Sequence, residues 1–268
     1  MTTAEAAVLR YRAEVAPLRG NPTVDALLAH RSVRAFLPDA LPPGTIETIV
    51  AAAQSAATSS NLQPWSVVAV EDADLRARLA ELAGGQRHIV EAPLFLVWLV
   101  DFDRLTRLGK VAGVPVDAPD YVETFLLGAV DASLAAQNAV VAIESLALGA
   151  VYIGGIRNHP DTVAAELDLP PRVFALVGLA VGVPDPARPA AVKPRLPQAA
   201  VLHRERYRRS DDATATIYDD QLRAFQVEQG LPSRGWTEVA VARVRGPGSM
   251  AGRHVLRDVL ARRGFPLR

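Results

Sequence analysis

Five consecutive residues, His30-Arg31-Ser32-Val33-Arg34, bring an imidazole, two guanidinium groups and a hydroxyl together just ahead of Phe36. Guanidinium planes pair bidentately with anionic oxygens, and a serine hydroxyl adds a short neutral hydrogen bond, so the mixture suits a phosphate monoester. A solvated basic turn is the competing reading of the same residues. Two other stretches are as dense in polar groups. Thr58-Ser59-Ser60-Asn61-Leu62-Gln63-Pro64-Trp65 can hydrogen-bond the edge of a planar polar ligand, or serve only as a helix C-cap and turn. Lys193-Pro194-Arg195-Leu196-Pro197 carries two cations on a backbone stiffened by proline, as anion contacts or as a solvated linker. Between them, Tyr152-Ile153-Gly154-Gly155 ends a β-like run in two glycines, which lets main chain lie close to a flat ligand.

The elements that must position these groups follow from periodicity and punctuation. Thr3 to Leu18 reads as an Ala-rich helix, packed or loose, ended by Pro17, Gly20 and Pro22. Thr23 to Ala29 reads as a short helix capped by Thr23, burying Val24, Leu27 and Leu28. A helix from Thr45 through Ala57 leads into the 58–65 loop, and Ser66 to Glu71 alternates as a strand. Asp74 to Ala83 is an amphipathic helix closed by Gly84-Gly85, with Gln86 directly after. Ala92 to Asp101 is apolar on both faces, the mark of a strand inside a sheet. Arg104 to Tyr121 reads as an irregular excursion. Val122 to Leu148 is apolar nearly all round, interrupted only by Glu123, Asp131, Gln137, Asn138 and Glu144, so it belongs at a domain centre or a subunit interface. A strand over 150–156, a short helix over 161–167 and a buried strand over 173–183 complete the central part. Helices follow at 218–229 and about 250–263, with a loop at 230–236.

The 268 residues are half apolar, enough to bury a sizeable core, and Lys plus Arg equal Asp plus Glu at 29 each. No net field draws the chain to nucleic acid or an anionic membrane. From Arg204 onward there are 13 basic and 8 acidic residues, scattered rather than striped with aromatics, which argues against nucleic-acid binding. The absence of Cys excludes disulfide and thiolate chemistry, and no metal site is expected. No secretory signal or uncharged apolar run of ~18 residues is evident, so a soluble, cytoplasmic protein is expected.

Taken in order, His-Arg-Ser-Val-Arg (30–34), Thr-Ser-Ser-Asn-Leu-Gln (58–63), Gly-Gly-Gln-Arg-His (84–88), Ala-Gln-Asn-Ala-Val (136–140), Tyr-Ile-Gly-Gly (152–155) and Lys-Pro-Arg-Leu-Pro (193–197) resemble the flavin-dependent nitroreductases. The narrower likeness is to the oxygen-insensitive, NADPH-preferring nitroreductase and flavin reductase branch. The resemblance covers about residues 30–207 well and 208–236 more loosely. It implies an α+β sandwich with a small central, mainly antiparallel sheet flanked by helices, built as an intertwined homodimer with FMN at the subunit interface. The corresponding division is an N-terminal extension (1–22), an FMN-binding core (23–203) and a C-terminal arm over the partner subunit (204–268). The apolar helix at 122–148 becomes the dimer-interface helix.

By the same resemblance, His30, Arg31 and Ser32 join Lys193 and Arg195 around the FMN phosphate, and Arg34 lies near the pyrimidine edge, where a cation stabilises negative charge on the reduced ring. Thr58, Ser59 and Asn61, from the other subunit, and Gln86 bond the ring edge or ribityl chain. Tyr152 and Ile153 fit the ring environment, and backbone N–H groups of Gly154 and Gly155 approach flavin N5. Glu123 is placed near the substrate pocket, with a solvated helix-start carboxylate as the alternative. Members preferring NADPH carry Arg just before the glycine matching Gly230. This chain has Gln229 there, which leaves Arg234 as the candidate for the nicotinamide phosphate. The implied reaction is ping-pong hydride transfer from NADPH or NADH through FMN to a nitroaromatic, quinone or free flavin. No certain catalytic side chain is required. A dedicated dehalogenase or natural-product oxidase on the same fold, or a flavin-binding protein without turnover, are the alternatives.

Overall fold

The computed structural model describes residues 2–209 and 212–268; Met1 of the N-terminal extension and Ser210-Asp211 of the C-terminal arm lie outside the described residues. In chain order the elements are α1 (Thr3–Tyr11), α2 (Pro22–Leu28), α3 (Thr45–Gln54), β1 (Trp65–Val70), α4 (Ala73–Leu82), α5 (Arg87–Glu91), β2 (Leu94–Asp101), α6 (Asp103–Ala112), α7 (Val122–Ser145), β3 (Gly149–Ile153), α8 (Pro160–Glu166), β4 (Val173–Gly182), α9 (Asp212–Glu228), α10 (Trp236–Val244) and α11 (Leu256–Arg262). They form two compact units. One is Met1–Arg31 with Ala190–Met250, the other Ser32–Pro189 with Ala251–Arg268.

The larger unit holds the sheet, ordered β1-β2-β4-β3, with every neighbouring pair antiparallel. As its apolar run demands, β2 is interior and buried on both faces from Leu94 to Val100. Leu94, Leu96 and Trp98 share a core with Leu179 and Val181 of β4, Ile49 and Ala53 of α3, and the Ala135–Ile143 stretch of α7. A second core joins Val100, Phe102, Phe174, Leu260 and Phe265, with the Phe125 and Phe265 rings 5.3 Å apart and edge-on. The end of the chain is tied to the start of α7: the Arg268 N–H donates to Asp120 O, and Arg172 Nη2 pairs with Asp120 Oδ1 at 2.8 Å.

α7 buries Gly128, Asp131, Ala132, Ala135, Ala136, Ala139, Val140 and Ile143, yet Val122, Leu126, Val130 and Leu134 form an exposed stripe at i, i+4 spacing. By length and composition alone it is long and apolar enough to cross a bilayer, a test that the core helix of a soluble protein also passes, and 44% of its apolar window is buried.

In the smaller unit, α1 carries a complete capping box between Thr2 and Glu5, and α9 buries Tyr218, Leu222 and Phe225. The Tyr218 and Trp236 rings meet edge-on at 5.7 Å. Arg12 pairs bidentately with Glu228 at 2.6 and 2.7 Å, and its guanidinium lies over the Phe225 ring.

Several expected elements differ. The 104–121 stretch is not irregular throughout: α6 occupies its first half, with an Asp103–Arg107 pair at i, i+4, and stops at Gly113. α1 ends at Tyr11 rather than Leu18, because Arg12 turns left-handed at its C-cap. In α2 the cap is Asn21, whose Oδ1 accepts from the Thr23 and Val24 N–H groups; no residue of this helix is buried, and Leu27 is 45% exposed. α8 starts after His159, not at Asp161. α10 occupies part of a stretch left without an element, and the last helix is split into a 3-10 turn (Arg253–Val255) and α11.

Candidate functional site

In the smaller unit, the segments bearing His30-Arg31 and Lys193-Arg195 are fixed through their main chain. The Arg10 guanidinium donates to Leu28 O (2.8 Å), His30 O and Lys193 O (2.7 Å), and the Arg195 N–H donates back to Arg10 O at 2.9 Å. Tyr218 Oη donates to Pro194 O at 2.8 Å. Burial pushes that phenol's pKa up, with the Arg195 and Arg10 charges opposing. The backbone is thus held through its carbonyls while the Arg31, Lys193 and Arg195 side chains are exposed. Among the described residues, no carboxylate pairs with Arg31 or Arg195. Arg195 Nη1 donates to Lys193 O and Pro194 O at 3.3 and 3.2 Å, and exposed guanidinium charge without a carboxylate on a fixed backbone suits a phosphate monoester, so the donor set fits the FMN phosphate.

In the larger unit, Ser32 bridges in parallel to Ala150 and the Val33 N–H donates to Ala150 O at 2.9 Å, setting this segment along the outer edge of β3. A Cβ on Gly149 would stand 2.7 Å from Val33 side-chain atoms, so the approach needs glycine there. Arg34 is exposed and unpaired with any carboxylate among the described residues. His88 lies within its field. Burial first and the Arg34 charge second hold the imidazole below its ordinary value, with Glu91 pulling the other way. The His88 Nε2 is buried without a hydrogen-bond partner.

β3 delivers Tyr152 and Ile153 and runs into a 3-10 turn at Gly154–Arg157. Gly155 packs on the 83–86 turn: a Cβ there would stand 2.3 Å from Ala83 O and 2.6 Å from Gln86 Nε2, which itself donates to Ala83 O at 2.8 Å. Gln86 and Gly155 are therefore neighbours. Arg253 Nη1 donates to Gly154 O at 3.4 Å. The Tyr152 phenol, raised by burial and by Glu144, lies 3.4 Å from Gln137 Oε1. Tyr152, Gln137, Ser133 and Arg157 line a cavity of about 620 Å³ with Phe125, Phe174, Leu176, Val177, Leu256 and Leu260. Arg157, which donates to Leu176 O, is pushed below the usual guanidinium value by burial.

The 58–63 loop is anchored by Asp131, 2% exposed, which accepts from Thr58 Oγ1 and the Ser59 N–H. Ser60, Asn61 and Gln63 all have φ near +50°, a left-handed run that non-glycine residues adopt only under constraint. Ser59 and Asn61 are exposed, whereas the Thr58 proton is committed to Asp131. Glu123 is exposed in the first turn of α7. Arg234 is exposed, with a loose 3.8 Å pair to Glu238.

Sequence reasoning passed over Arg10, His88, Asp131, Arg157 and Arg253. Only Asp131 left a signal, as an acid among the buried residues of an apolar helix.

Residues 27–183 match the nitroreductase family model and residues 193–268 that of the nitroreductase family C-terminal domain. The chain is 39% identical over 214 residues to the oxygen-insensitive NADPH nitroreductase of Salmonella typhimurium, covering 80% of this chain and 86% of that protein. It is 38% identical over 223 residues to an NAD(P)H FMN reductase of Bacillus subtilis, covering 81% and 89%. The solved structure of B. megaterium NfrA2 superposes with a TM-score of 0.87 at 37% identity, over 93% of this chain and 100% of that one.

Proposed function

The chain belongs to the nitroreductase family, and on that premise we infer that it is an FMN-dependent NAD(P)H oxidoreductase reducing small acceptors such as nitroaromatics, quinones or free flavin. The observation that carries this reading is the Lys193-Arg195 segment, pinned through its carbonyls by Arg10 and Tyr218 with its cations exposed.

FMN, when bound, would supply the two-electron redox chemistry between the nicotinamide and the acceptor. The chain's own work is binding, orientation and charge. His30, Arg31, Ser32, Lys193 and Arg195 hold the phosphate, and Arg34 places a permanent positive charge where the ring gains electrons. That same charge favours a neutral His88. Gln86 and the Gly154-Gly155 main chain address the ring; Ser59 and Asn61 address it from a partner subunit. Arg234 is the residue we assign to the 2′-phosphate of NADPH.

The exposed Val122, Leu126, Val130 and Leu134 stripe on α7 supports a homodimer in which two such faces meet. A dimer buried there accounts for an apolar helix of this length without a membrane. The reading carries with it a cytoplasmic setting, where reduced nicotinamide is available.

Anaerobic titration of the purified yellow protein with NADPH, then NADH, tests the assignment. Rapid bleaching of the visible flavin band by either donor is expected. Bound FMN that neither nicotinamide reduces, or no uptake of FMN at all, overturns it.

A further inference from the structure

Residues 1–26 lie outside both family models, yet α1 within them is built firmly into the smaller unit. Besides its capping box it is held by a hydrogen bond from Thr3 Oγ1 to Asp25 Oδ1, and the Arg12–Glu228 pair follows directly after it. In its last turn stands Arg10, only 6% exposed. Burying a guanidinium is costly unless its protons are matched, and here backbone carbonyls match them.

The acceptors belong to two segments far apart in sequence. Nη1 donates to Lys193 O at 2.7 Å, while Nη2 donates to Leu28 O at 2.8 Å and to His30 O. The main chain closes the link, since the Arg195 N–H donates to Arg10 O at 2.9 Å. One rigid fork thus sets the spacing between the residues before Arg31 and those around Arg195. A lysine ammonium has no such planar geometry.

We propose that α1 is a clasp for the phosphate subsite, with Arg10 a positioning residue that registers His30-Arg31 against Lys193-Arg195 and so makes the protein prefer a flavin bearing a 5′-phosphate over one without it. This rests on the reading that these residues hold FMN. Arg10 itself does not touch the cofactor. Its effect falls on the phosphate contacts and spares those to the isoalloxazine ring.

Riboflavin shares the ring and ribityl chain of FMN and lacks the phosphate, so the pair separates the two sets of contacts. Apoprotein of wild type, Arg10→Met, Arg10→Lys and Arg195→Ala is titrated with FMN and with riboflavin by flavin fluorescence, and each apoprotein is melted by circular dichroism. Arg10→Met is expected to weaken FMN binding by about tenfold or more, as loss of an outer-shell partner does elsewhere, with riboflavin affinity unchanged. Arg195→Ala, which removes a direct contact, narrows the ratio in the same sense, and Arg10→Lys lies between wild type and Arg10→Met.

An Arg10→Met protein that keeps the wild-type FMN-to-riboflavin ratio overturns the proposal. So does equal weakening of both flavins, which marks a general structural role. If Arg10→Met does not fold, Arg10→Lys decides: an unchanged ratio overturns, a narrowed one supports. Wild-type protein that binds neither flavin, or both alike, instead defeats the assignment of the phosphate site itself.

Discussion

Thr58 Oγ1 donates to Asp131 Oδ2 at 2.5 Å, so a buried acid on α7 dictates the course of an exposed polar loop. The same carboxylate accepts the Ser59 N–H at 3.2 Å, and Thr58 Oγ1 in turn accepts the Gln63 N–H at 3.0 Å. Asp131→Asn replaces one acceptor oxygen with a donor and leaves at least one of these groups unmatched. It is expected to cost about 1–3 kcal/mol of stability, measured by urea denaturation. Thr58→Val removes the donor and leaves the carboxylate short of a partner, and the expected loss falls in the same range.

His88 predicts a pH dependence. Its folded-state pKa lies below the 6.5 of an unperturbed histidine, because burial and the Arg34 charge both disfavour the imidazolium. Between 6.5 and that lower value the unfolded chain binds a proton the folded chain refuses. Stability therefore falls as pH drops below 6.5 and levels off below the folded value. NMR titration of the His88 ring should give a pKa under 6.5, and Arg34→Gln should raise it. A His88 value indifferent to Arg34 would remove the charge from the explanation and leave burial alone.

The two glycines at the end of β3 have opposite expectations. Gly155→Ala sets a methyl 2.3 Å from the Ala83 main-chain carbonyl oxygen and 2.6 Å from Gln86 Nε2, at a cost of roughly 1–3 kcal/mol and a displaced Gln86. Gly154→Ala meets only guanidinium nitrogens of Arg157 and Arg253 at 3.5 and 3.6 Å, an ordinary contact. Thermal melting should separate the pair, with Gly154→Ala near wild type. Anaerobic flavin reduction should then be slowed in Gly154→Ala if close main-chain approach to the ring is used.

The exposed face of α7 tests the assembly. Val130 is 55% exposed, at the middle of the stripe. Val130→Glu buries an unpaired carboxylate at a dimer contact, a cost of several kcal/mol, on the order of a hundredfold or more in the dimer equilibrium. Sedimentation velocity should show wild type as a dimer and the variant shifted to monomer. A monomeric wild type rejects the homodimer outright.

Elements whose burial is written in local composition were legible in the sequence. β2 has no polar residue before Asp101, and it is interior; α7 is apolar nearly all round, and it packs on the sheet on one side with an apolar stripe left on the other. α6 reads as a loop in the sequence because half of its residues are polar and Gly109 and Gly113 suggest turns; an i, i+4 ion pair lies along it and Gly113 ends it. The donor chemistry proposed for Arg31 and Arg195 is local, two exposed guanidinium groups beside prolines or a hydroxyl, and it can be proposed from the sequence directly. The parts that set its geometry could not. Arg10 looks like any solvent-facing arginine of an Ala-rich helix, since its acceptors lie 18, 20 and 183 residues away. Asp131 and His88 take their roles from loops distant in sequence for the same reason.

That separation of 183 residues between Arg10 and Lys193 also fixes an order of events during synthesis. The nascent chain releases Arg10 early, and its guanidinium must wait, hydrated, until the 193–195 segment clears the ribosome before both sets of carbonyls can receive it. Closing so long a loop carries an entropic penalty that grows with the logarithm of its length, and nothing local rewards it beforehand. The 28–31 and 193–195 segments thus take up their mutual register only after residue 195 has emerged, late in synthesis.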